Sequence, residues 1–236
     1  MRKYILFISC LFIAIGMQSQ SLIGAWENIS ESKTGEKIKT VVIIAEGYQV
    51  MTMYGIKTGK FISTNGGSWV LNNDIITETI EFDTSNSENV GKEVSFKIFI
   101  KENTMGIVGQ KAIFKRIDDG NPGILQGAWL MSGRIRNGKT QMRNISRPRK
   151  TMKVLSGTRF QWIAYNVETK KFMGTGGGTY TTINGKYTEH IEFFSRDNSK
   201  KGISLKFDYS FEDDNWHHKG FSSKGAAMHE IWTKRK

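Results

Sequence analysis

The chain has 236 residues, with 34 lysines and arginines against 22 aspartates and glutamates, for a formal net charge of +12 at pH 7. This length suits one large domain or two of roughly 100 residues, and 38% apolar residues, 11% aromatic residues and two prolines exclude a disordered chain. The basic excess favours anionic surfaces or ligands without specifying a fold.

Residues 1–20 carry a basic start at Arg2-Lys3, an apolar run from Tyr4 to Met17, and the small polar Gln18-Ser19-Gln20. This is the layout of a secretory signal peptide, too short to span a bilayer. The single cysteine, Cys10, reads as an apolar residue of that leader rather than a lipid-attachment site. The chain after it then has no disulfide, no thiolate nucleophile and no thiolate metal site. No later apolar run approaches ~20 residues, so no transmembrane segment is expected. A secreted or periplasmic location follows, and nucleic acid is not an expected partner.

Two stretches repeat. Gly24-Ala25-Trp26 returns as Gly127-Ala128-Trp129, 103 residues on (127 less 24). Gly66-Gly67-Ser68-Trp69 and Thr77-Glu78-Thr79-Ile80-Glu81-Phe82 return as Gly177-Gly178-Thr179-Tyr180 and Thr188-Glu189-His190-Ile191-Glu192-Phe193, at a constant offset of 111 (188 less 77). The turn formers of 119–124, with Pro122 among them, read as a linker between a first unit at 21–118 and a second at 125–236.

In the first unit Val94, Phe96, Ile98 and Ile100 alternate with Ser95, Lys97, Phe99 and Lys101, the period of a half-buried strand. Strands are predicted in the second unit over 151–156 and 159–166. A short arm at 171–175 follows, then a hairpin over 176–194 turning at Asn184-Gly185. Further strands are predicted over 203–211, 216–221 and 226–234. The glycines at 176–178 precede no helix and read as a bend or bulge, like Gly66-Gly67. The pattern of about eight short strands per unit is that of an all-β closed barrel or a sandwich; two tandem antiparallel up-and-down barrels are preferred, because closure removes the exposed sheet edges.

The Gly-Ala-Trp starts, the meander, and a basic residue after a terminal aromatic resemble lipocalin-like, or calycin-type, barrels. That resemblance implies a Trp packed across the closed end under a basic side chain: Trp26 with Lys115 or Arg116, and Trp129 with Lys234 or Arg235. A cation on an indole face contributes roughly 0.5–2 kcal/mol. Residues 125–236 resemble more closely a family of secreted bacterial lipocalin-like domains of unassigned function, on Gly176–Tyr180, Tyr187–Phe193 and Glu230-Ile231-Trp232. The first unit departs from it, with Thr79 in place of His190 and Lys111-Ala112 in place of His229-Glu230.

Along 186–194, Tyr187, Glu189, Ile191 and Phe193 share one face and are assigned inward on apolar bulk. Glu189 then sits among apolar neighbours, where a carboxylate needs a partner or a raised pKa. It either holds a polar group of a ligand or pairs with a lysine or arginine, and Glu78 repeats it. His190 and Glu192 share the other face. With His217, His218 and His229 elsewhere they read as a metal site or as ordinary exterior pairs; no metal or cofactor is expected. The segment 132–153 carries eight basic residues and no acidic one; the resemblance makes it the lid over the open end. The expectation is a small-molecule binding or carrier module for an amphipathic, possibly anionic ligand. Trp162, Tyr180, Glu189, Phe207, Tyr209 and Trp232 would line a cup in the second barrel, with Arg147 and Arg149 at its rim. The alternative is a module with filled barrels that binds an anionic surface or polysaccharide. An enzyme is not expected, since no nucleophile, base and orienter stand out.

Overall fold

The computed structural model describes residues 21–235 other than Pro122, so the expected leader at 1–20 lies outside the described residues. Two antiparallel sheets each close on themselves. In the first, strands β1 (Gly24–Glu31), β2 (Lys37–Ala45), β3 (Tyr48–Gly55), β4 (Phe61–Asn72), β5 (Ile75–Asp83), β6 (Glu93–Lys101), β7 (Thr104–Ile107) and β8 (Ile113–Asp118) pair in chain order, and β8 returns to β1.

The second sheet contains β9 (Gly127–Arg136), β10 (Lys139–Met142), β11 (Arg149–Leu155), β12 (Arg159–Asn166), β13 (Lys171–Ile183) and β14 (Lys186–Phe194). It ends with β15 (Ser204–Glu212), β16 (Asn215–Phe221) and β17 (Ala227–Lys234). Here β9 pairs with both β11 and β17 and closes an eight-strand circle. β10 stands outside that circle, folded back on the far half of β9. This ninth strand was not expected. Asn137 and Gly138 take the positive φ angles of a tight hairpin turn, 51° and 71°, and so turn the start of the basic segment into a β-hairpin.

The arm at 171–175 and the first half of the expected hairpin form one strand, β13. It bends without breaking at a register shift between Gly177 and Gly178. A side chain at Gly178 would start 2.0 Å from the His190 carbonyl oxygen, and one at Gly67, on the matching bulge of β4, 1.9 Å from that of Thr79. Bare backbone is what lets both barrels corner there.

Each barrel is plugged at its start by the expected tryptophan. Trp26 and Trp129 are buried, and their indole N–H groups donate to the carbonyls of Leu22 and Leu125, at 3.0 and 2.8 Å. Arg116 lies 4.0 Å from the Trp26 ring centroid and the Lys234 ammonium 5.8 Å from that of Trp129. Arg235 goes elsewhere.

The barrels join flank to flank through a shared apolar layer that includes Val41, Ile43, Tyr54 and Phe82 of the first and Met152, Ile163, Tyr165 and Phe193 of the second. The join is reciprocal. Tyr54 donates to Glu192 of the other barrel, and Tyr165 donates to Glu81; the two tyrosines, like the two glutamates, stand 111 residues apart. Their rings pack on Phe193 and Phe82 in the same reciprocal way, at 4.8 and 5.0 Å. Guanidinium groups complete both pairs: Arg159 on Glu192 at 2.7 Å and Arg235 on Glu81 at 2.6 Å. At Glu192 burial works to raise the pKa, but Arg159, Tyr54 and Lys39 outweigh it and hold the carboxyl below its usual range.

Candidate ligand site

The inward face assigned to 186–194 is the face observed: Tyr187, Glu189, Ile191 and Phe193 are all buried. Inside the second barrel this face meets a lysine. Lys153 and Glu189, each about 4% exposed, form an ion pair at 2.7 Å, and Tyr187 donates to the same carboxylate oxygen at 2.9 Å. Four rings surround the Lys153 ammonium, with centroids at 5.0 Å (Tyr187), 5.1 Å (Trp216), 5.2 Å (Trp232) and 6.0 Å (Phe160). Burial, and then the Glu189 charge, push the Tyr187 phenol well up, so it serves as a hydrogen-bond donor.

Next to this group His218 contacts Glu230 at 3.2 Å, and Glu230 also accepts from the Trp232 indole at 3.2 Å. Burial and the neighbouring Lys153 charge lower the His218 pKa against the pull of Glu230, keeping the imidazole neutral near pH 7.

The six expected cup residues are therefore gathered in one barrel, but most are packed as its filling. Phe207 and Trp232 are about 3% and 2% exposed, and Tyr180 is buried with its hydroxyl donating to the Ser156 carbonyl at 2.5 Å. Trp162 and Tyr209 are half-buried at its margin. Glu189 has the lysine partner that the structural alternative foresaw. His190 is exposed and contacts the Ser204 hydroxyl at 2.8 Å, while Glu192 is committed to the join between the barrels.

The interior of the first barrel is less completely filled. A cavity of about 350 Å³ is lined by aliphatic and aromatic side chains, among them Leu22, Val42, Ile44, Met51, Ile98 and Phe114. Its polar lining is Gln49, Asn65, Glu78, Asp83 and Asn89, and no lysine, arginine or histidine is among its described lining residues. Gln49 donates to Glu78 at 2.6 Å. Burial raises the Glu78 pKa, Asp83 adds to the rise, and the Gln49 bond opposes it. Asp83 is occupied by the backbone N–H groups of Ser85 and Asn86 and by the Asn89 amide. The sequence reading had named Glu78 only as the echo of Glu189. The signal it passed over is that Gln49, Ile76 and Met105 stand where the second unit has Phe160, Tyr187 and Trp216, each 111 residues later.

Arg147 and Arg149 line a separate pocket of about 450 Å³ between β9, β10 and the start of β11. Arg143 and Lys150 join them over a floor of Leu130 and Met131, with no carboxylate among the described lining residues. Partial burial lowers the Arg143 pKa, and the charges of Arg134, Arg149 and Arg136 add to the drop against the pull of Glu230.

Residues 124–236 match a family described as a domain of unknown function (DUF4488), so the second barrel is similar to a family without an assigned activity. No curated protein matches the chain. Among solved structures, the crystal structure of the Cpx pathway activator NlpE from Escherichia coli is similar at 11% identity, covering 91% of this chain and 93% of that one, with a TM-score of 0.24. Among the described residues no helix is long and apolar enough to cross a membrane.

Proposed function

We propose that this chain is an extracytoplasmic small-molecule binding protein and not an enzyme, and that its ligand sits inside the first barrel. The cavity in the first barrel carries this reading: about 350 Å³ of apolar-lined space with a few convergent polar groups and one carboxyl perturbed by burial, the usual make-up of a ligand site. The second barrel, filled by its own rings and ion pair, serves as a rigid partner. The leader expected at 1–20 supports export.

A second reading keeps the amphipathic anion in the second barrel, at the lid pocket rather than the lumen. It is favoured by Arg143, Arg147, Arg149 and Lys150 facing one space over an apolar floor.

Titration with the neutral dye Nile red tests the first reading on the full chain. Saturable fluorescence enhancement is expected; it should be lost in Met105→Trp, which sets into the first barrel the ring found at Trp216, and kept in the double variant Arg147→Ala/Arg149→Ala. No saturable response, or one indifferent to Met105→Trp, overturns it. A response lost with the two arginines shifts the site to the lid pocket.

A further inference from the structure

The two interiors can be compared position by position, and the comparison names the ligand's chemistry; this inference rests on the reading of the first barrel as the binding site. Across the sheet from the plug Trp129 stands Lys153, and across from the plug Trp26 stands Val42. The offset of 111 that relates Val42 to Lys153 also relates Glu78 to Glu189. Both barrels therefore carry the buried carboxylate, and among the described residues only that of the second has an answering cation, at 2.7 Å. Three of the four rings around that cation are exchanged as well, Tyr187 for Ile76, Trp216 for Met105 and Phe160 for Gln49, while Trp232 is answered by the smaller ring of Phe114. Removing the ammonium and trimming its cage leaves a cavity of about 350 Å³, with Glu78 in its wall.

The side chain of Lys153 is, chemically, a short alkylamine tethered to β11. It lies in an apolar barrel with its ammonium among four rings and paired with a carboxylate. We propose that the first barrel binds an untethered counterpart, a hydrophobic primary amine whose ammonium pairs with Glu78 as Lys153 pairs with Glu189.

The lining agrees with that charge and not with its opposite. A carboxylate ligand would enter a low-dielectric space holding Glu78 and Asp83 and no described cation, and a buried charge without a partner is costly. An ammonium brings the missing half of a pair to a carboxyl whose hydrogen-bond donor among the described residues is Gln49. Trp69, Phe96 and Phe114 offer ring faces in the same lining. The apolar tail has Leu22, Ile44 and Met51 to lie against. The ligand expected from the basic lid, an amphipathic anion, is thus the reverse of what this cavity accepts.

Displacement of Nile red from the full chain by octylamine, octanol and octanoate, which share one tail, reads the head group directly. Octylamine should displace the dye at a concentration about tenfold or more below octanol, from the gain of a charged hydrogen bond, with octanoate weakest. Glu78→Gln should bring octylamine level with octanol, each read against that variant's own dye affinity. Val42→Lys should fill the site with an internal ammonium and abolish octylamine binding. Saturable dye binding with octanoate equal to or better than octylamine overturns the amine assignment and leaves the binding site standing. So does an amine preference that survives Glu78→Gln. Failure of the dye to bind at all removes the site, and the assignment with it. The three-ligand comparison on the unaltered chain decides the matter even if a variant fails to fold.

Discussion

Where the two barrels touch, each does to the other what the other does to it; where each encloses its own interior, they differ. The join is built from partners that swap at a constant offset: Tyr54 with Glu192 and Tyr165 with Glu81, Tyr54 on Phe193 and Tyr165 on Phe82. The supporting turns match too, with Thr84 Oγ1 accepting from the Thr64 N–H at 2.8 Å and Ser195 Oγ from that of Thr175 at 2.9 Å. This is the geometry of an isologous contact between two copies of one surface. Inside, Lys153, Tyr187 and Trp216 face Val42, Ile76 and Met105 as counterparts, and one lumen is full while the other holds a cavity. The reason is physical. A residue in a twofold contact must fit its partner's image in the other half, as Tyr54 fits Glu192 and Tyr165 fits Glu81, so a change to one copy alone breaks a buried bond. A lumen residue answers only to its own barrel.

The largest effect expected from this contrast is at Lys153. Lys153→Met leaves Glu189 buried without its cation and should cost about 3–5 kcal/mol, read as a lowered urea midpoint. Glu78→Gln in the first barrel, where no lysine is stranded, should shift the midpoint by less than about 1 kcal/mol. Equal losses would mean that Glu78 too depends on a charge partner. Next in size, Tyr54→Phe and Tyr165→Phe each remove a hydrogen bond to a carboxylate across the join, about 1.5–3 kcal/mol. The two costs should agree closely. A large disparity would break the reciprocity that the geometry suggests.

A smaller and graded effect is expected with pH, because all four histidines belong to the second barrel. The folded pKa of His218 lies below its ordinary 6.5. Between those values the unfolded chain binds a proton that the folded chain refuses, so this contribution is present above about pH 6.5 and lost as pH falls. Glu192, held below 4.5 in the folded state, adds a second loss as pH drops below 4.5 toward its folded value. Glu78 works in the opposite sense. Its carboxyl is raised by burial, so its contribution is full below 4.5 and lost as pH rises through its folded value. The melting temperature should therefore fall in two stages on acidification. His218→Phe should shrink the first stage to the part that His229, also held below 6.5, supplies, and Glu78→Gln should remove the gain on acidification that falls between the folded Glu78 value and about 4.5, leaving the second stage unchanged. Smallest of all, Arg147→Ala with Arg149→Ala should leave the melting temperature unchanged, since both side chains are exposed. The same pair should weaken binding of decyl sulfate if the lid pocket holds anions.

Much of this protein is legible along the chain because strand patterning is local. The alternation of Tyr187, Glu189, Ile191 and Phe193 assigns one face inward, Asn184-Gly185 marks a turn, and Gly-Ala-Trp marks the start of each barrel. Closure into two barrels follows from those signals and from the constant offset between the halves. Strand ends were less legible, and β10 was missed although Asn137-Gly138 carries the same turn signal as Asn184-Gly185.

Other features depend on residues far apart in the chain. Lys153 meets Glu189 across 36 residues, and Tyr54 meets Glu192 across 138. The space inside a barrel is what remains after eight strands have contributed their side chains at one level, a sum that no single segment expresses. The amino-acid sequence by itself determined the duplication, the barrels and the inward faces, since each rests on periodicity or on turns a few residues long. Which barrel is full, which carboxylate has its cation, and which face joins the halves were decided only when the strands closed and brought distant side chains to one point.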